Sequence, residues 1–79
     1  MRRIGFMMVS GGTPDELVWA TALGARIAAR RHRARGLEAD AVRRLVVDEY
    51  REVLEAGYDG PTLETLLGTV REAVDDVLS

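Results

Sequence analysis

Hydrophobic residues recur along most of this chain at helical spacing, and the exception lies at its start. Ile4 to Val9, Ile-Gly-Phe-Met-Met-Val, is a short unbroken apolar run closed by Ser10-Gly11-Gly12, which predicts a strand better than one turn of helix. No other segment has a strand pattern. A lone strand leaves its N–H and C=O groups unpaired, so this segment must pair with a copy of itself, pair with another protein, or stay disordered.

From Thr13 the period becomes helical. Thr13-Pro14-Asp15-Glu16 reads as a capping box, with threonine at the N-cap, proline at N1, and Glu16 reaching back to the N-cap amide. The helix it opens can run about 22 residues, or about 33 Å, to Gly36 as a left-handed C-cap. Arg30, Arg31, Arg33 and Arg35 stand near its negative end. On a wheel of about 100° per residue, Leu17, Ala20, Thr21, Gly24, Ile27 and Ala28 share the face expected to pack. Ala20, Gly24 and Ala28 on that face leave room for close approach of another backbone.

A second helix is predicted from about Glu38 to Ala56, capped by Gly57, with Val42, Leu45, Val46, Tyr50, Val53 and Leu54 inward. Asp40 with Arg44, Arg44 with Asp48, and Arg51 with Glu55 are spaced as ion pairs on its solvated face. After the turn Tyr58-Asp59-Gly60-Pro61, a third helix runs from about Pro61 or Leu63 to Leu78. Leu63, Leu66, Leu67, Val70, Val74, Val77 and Leu78 make its apolar stripe. The fold class is therefore mainly α: three helices up, down and up (13–79) behind a short N-terminal strand or arm (1–12), completed by dimerisation or a partner.

Composition sharpens this picture. Seventy-nine residues allow one small core, and ten of the hydrophobic residues are alanine, so the area available for burial is modest. Chains this short must offset roughly 1.5 kcal/mol of ordering cost per residue and often finish by associating. With no cysteine, disulfides, thiolate metal sites and thiol nucleophiles are excluded. No apolar stretch approaches the ~20 residues of a membrane span. The N-terminal apolar run is also shorter than the usual 7–15 of a signal peptide, so a cytoplasmic location is expected. All eleven basic residues are arginine, and the charge is bipolar, +5 over residues 1–37 and −7 over 38–79. The two halves can pair internally or present one end to a partner.

Candidate chemistry is sparse. Ser10-Gly11-Gly12-Thr13 lacks both the Walker lysine and the dinucleotide glycine spacing. His32 lies between Arg31 and Arg33 with no acid one helical turn away, which predicts an exposed ring at a charged helix end. The acids are interleaved with arginines and lack the Glu-x-x-His motif of carboxylate-bridged metal sites. Neither catalytic residues, nor a cofactor site, nor a metal site are expected. Trp19 and Leu23 share one side of the first helix with Arg26, Arg30 and Arg33, a composition suited to an interface anchor. The competing reading packs Trp19 beneath the third helix or the N-terminal strand, with the arginines extended to water.

The order strand, helix, glycine turn, helix, with Arg35-Gly36-Leu37-Glu38-Ala39-Asp40-Ala41-Val42-Arg43-Arg44 opening the second helix, resembles ribbon-helix-helix repressors and antitoxins over residues 3–56. That resemblance implies a ribbon shared by a dimer and read into the DNA major groove. Arg3, Gly5 and Met7 would face the bases, and Arg2 and Arg3 would be the nucleic-acid contacts. Val9-Ser10-Gly11-Gly12-Thr13-Pro14-Asp15-Glu16-Leu17 before an alanine-rich helix is similar to the start of the small epsilon subunits of actinobacterial acyl-CoA carboxylases, which implies a non-catalytic accessory subunit.

The expected function is a non-enzymatic helical interaction module, self-associating or docked on a larger protein. Its contacts are expected from Ile4, Phe6 and Met8, from Trp19, Leu23, Arg26 and Arg30, and from any uncovered part of the Leu63 to Leu78 stripe. A small DNA-binding regulator is the alternative, against which the net charge of −2 and a pI near 5.3 weigh for a general binder. No membrane partner is expected.

Overall fold

A computed structural model describes residues 14–79. The strand expected at Ile4 to Val9, and with it Thr13, lies outside the described residues. Among those described there are three helices, α1 (Asp15–Ala34), α2 (Ala39–Glu55) and α3 (Gly60–Leu78). Gly24 of α1 meets Tyr50 of α2, and Arg43 of α2 meets Asp75 of α3. Each pair is centred on the turn that joins its two helices, so consecutive helices run antiparallel. α1 packs mostly on α3 and least on α2.

The breaks fall where local chemistry put them. Gly36 has φ 91°; its N–H donates to the Arg33 carbonyl at 2.9 Å and the Leu37 N–H to the His32 carbonyl at 3.3 Å, a Schellman end. The Arg33 guanidinium donates to the Leu37 carbonyl at 2.9 Å, fastening the turn from its other side. Two details differ from expectation. α1 begins at Asp15 with Pro14 as N-cap and no side-chain cap bond, because the proline ring has no acceptor to offer; the Pro14 carbonyl accepts the Leu17 and Val18 N–H groups. α2 ends at Glu55 with Ala56 as its C-cap, and Gly57 does not have a positive φ, so it supplies no left-handed cap. The left-handed residue of this turn is Gly60, φ 56°, which starts α3 just ahead of Pro61.

The core is built from Ala25 and Ala29 of α1, Val42, Val46 and Leu54 of α2, and Leu66, Leu67, Val70, Ala73 and Val74 of α3. Most of the expected α3 stripe is therefore spent internally and offers little outward surface. Leu45 and Val53, expected inward on α2, are exposed, Val53 to 69%, while Val42, Val46 and Leu54 of the same stripe are buried. On α1 the buried residues are Thr21, which belongs to the expected face, and Ala25 and Ala29, which do not. Leu17 and Ala28 of that face are partly buried against the core, so the packed side is the expected one turned toward Ala25. Ala20 and Ile27 consequently point to solvent. The physical reason is size: the deepest contacts of α1 are made by the methyl groups of Ala25 and Ala29, Leu17 and Val18 are partly covered beside them, and Trp19, Leu23 and Ile27 are left outside.

Candidate interaction surface

The residues left over on α1 form a line. Trp19 is 66% exposed, Leu23 40% and Ile27 43%, and Glu16 and Arg30 are exposed beyond them at either end. At about 100° per residue all five fall within a narrow strip on the side of α1 opposite Ala25. Contiguous exposed apolar groups rimmed by charge are the surface signature of a binding site.

The contacts expected from the sequence separate here. Trp19, Leu23 and Arg30 share the exposed strip, and Trp19 is not packed beneath α3. Arg26 turns away and donates to Asp76 of α3 at 3.2 Å, an exposed pair that ties α1 to the end of α3. Ile4, Phe6 and Met8, and the proposed nucleic-acid contacts Arg2 and Arg3, lie outside the described residues. Sequence reasoning assigned Ile27 to the core and Glu16 to the cap. The signal that would have found both is their placement four and seven residues from Leu23, on its side of the wheel.

The charge pattern is also rearranged. None of the three spaced pairs expected on α2 forms among the described residues. Asp40 pairs instead with Arg43, three residues on, at 3.2 Å, and the same guanidinium reaches Asp75 of α3 at 2.9 Å. His32 is not the exposed ring expected: its side chain is 15% exposed and its Nε2 lies 3.4 Å from a Glu49 carboxylate oxygen. The acid that meets it comes from α2, not from α1. Ala28, Arg31, His32, Arg35 and Glu49 line a shallow cleft of about 210 Å³. A second hollow of about 280 Å³ lies on the Glu55 to Asp59 turn.

Tyr50 is half-buried, and both burial and the neighbouring Glu49 carboxylate raise its phenol pKa. Among the described residues no three His, Asp or Glu side chains gather as a metal-binding group, and no helix is long and apolar enough to cross a membrane. Comparison with protein-family models, with curated proteins and with solved structures finds no match.

Proposed function

We propose that the protein is a non-enzymatic interaction module whose contact surface is the outer strip of α1. One observation carries this reading: the sole tryptophan of the chain stands 66% exposed in line with Leu23 and Ile27, while α1 packs inward through alanine. Tryptophan is the residue most enriched among the dominant contacts of protein interfaces, and a strip of this kind needs only matching apolar area to bind. The small size of the core supports the same reading.

The test compares Trp19→Glu with Val53→Glu in the full chain, by light scattering alone and in the presence of fractionated host extract. Val53 is as exposed as Trp19 but lies on α2. Association lost in the first variant and kept in the second supports the module reading; association unaffected by either, or absent altogether, removes it. A DNA-binding regulator is the alternative, and it requires Arg3→Ala to abolish binding of a specific duplex with a steep salt dependence.

A further inference from the structure

The outer strip of α1 has a symmetry that names its occupant. Counted from Leu23, Trp19 and Ile27 stand four residues to either side, and Glu16 and Arg30 stand seven to either side. The strip is thus apolar in the middle, acidic at its N-terminal end and basic at its C-terminal end. All five residues are exposed, and among the described residues neither Glu16 nor Arg30 has an ion-pair partner. Arg26, which would break the pattern, is held aside by Asp76 at 3.2 Å.

We infer that this strip is an isologous interface: a second copy of the chain lays its α1 antiparallel on the first, about a two-fold axis passing through Leu23. In that arrangement Leu23 meets Leu23 of the second copy, each Trp19 meets the other copy's Ile27, and each Glu16 meets the other copy's Arg30. A two-fold contact requires that a surface complement itself, and this one does so in both hydrophobicity and charge. A parallel pairing would instead set Glu16 on Glu16 and Arg30 on Arg30, which like-charge repulsion disfavours. The strip is about 21 Å long from Glu16 to Arg30 at helical rise, enough for four turns of one helix to lie along another. The result is a six-helix assembly in which the two α1 helices form the central pair. This inference rests on the module reading and adds to it the identity of the partner.

The chain has no cysteine, so a single introduced thiol reports the geometry. Leu23→Cys is expected to cross-link to itself on mild oxidation, because the axis brings the two positions within the Cα separation of roughly 4.4–6.8 Å that a disulfide needs. Val53→Cys is the control and stays uncross-linked. In sedimentation of the full chain, Arg30→Glu is expected to weaken the dimer roughly tenfold, since symmetry turns both end pairs repulsive. Glu16→Arg does the same, and the double variant Glu16→Arg/Arg30→Glu returns to the original affinity. Circular dichroism confirms that each variant keeps its helices. A dimer that survives Arg30→Glu and yields no cross-link in the Leu23→Cys variant joins through another surface and overturns the antiparallel pairing, while association itself stands. A monomer at all concentrations also overturns the pairing; if acrylamide then quenches Trp19 equally with and without host extract, the module reading falls with it.

Discussion

The Tyr50 hydroxyl occupies the space that a side chain at Gly24 would fill: a Cβ built on Gly24 overlaps it, while the ring carbon behind it stands 3.6 Å away in ordinary contact. Two helices that otherwise share little surface are thereby fitted to each other through one missing methyl. Alanine is favoured over glycine in a helix interior by about 1 kcal/mol, yet here the gain is opposed by the clash. Gly24→Ala is expected to leave stability unchanged or lower it. In a Tyr50→Phe background the same substitution is expected to raise stability by about 0.5–1 kcal/mol. Urea titration of the four chains gives the coupling directly, and equal effects in the two backgrounds would show that the hydroxyl does not press on position 24.

Tyr50 also sets an alkaline limit. Burial, and then the Glu49 charge, raise its pKa above the ordinary phenol value, which is about 10. The unfolded chain therefore loses this proton before the folded one does. Its contribution is fully present below about pH 10 and is lost as pH rises from there through the folded-state pKa. Thermal melts from pH 8 to 12 are expected to show the wild type losing stability above pH 10 more steeply than Tyr50→Phe. Parallel curves for the two chains would count against it.

Leu66 has no exposed surface at all. Truncating it to alanine removes several buried carbons and opens a cavity, at a cost of about 2–5 kcal/mol, a large share of the stability of a small domain. Val53→Ala, on an exposed position, is expected to stay within about 0.5 kcal/mol. Denaturant midpoints of the two variants should differ accordingly.

The glycines of the two turns are expected to respond oppositely to alanine. Gly36 stands at φ 91°, so Gly36→Ala forces a left-handed alanine and costs about 1–2 kcal/mol. Gly57 has no positive φ and open space around it, so Gly57→Ala is expected to stabilise by about 0.4–1 kcal/mol by narrowing the unfolded ensemble. Melting temperatures moving in the same direction would contradict this.

The helices and their breaks were legible because their signals are local: Gly36 and the Tyr58 to Pro61 turn act on their own backbone, and α3 marks its inner face with large Leu and Val. The face of α1 was legible only in part: Thr21 is buried and Leu17 and Ala28 pack against the core as expected. Ala25 and Ala29 were not distinguished from the other alanines of the helix, because small residues occur on every side of it and leave the wheel without a sharp apolar edge. His32 with Glu49 and Arg43 with Asp75 were equally out of reach, since each contact joins residues on different helices and depends on a rotation that no short window contains. Of the surface residues, Trp19, Leu23 and Arg30 were found by composition. Glu16 and Ile27 emerged only once the buried side of α1 had been fixed.

The alanines against α3 invert the usual relation between conspicuousness and tolerance. Ala25 and Ala29 have no exposed surface, and enlarging either would push two backbones apart, for about 1–3 kcal/mol or more. Trp19 can change with little consequence for the fold itself. If every position of α1 were varied and the variants sorted for folding, the plainest residues would be the most constrained and the tryptophan among the least. Sorting for assembly would reverse that order.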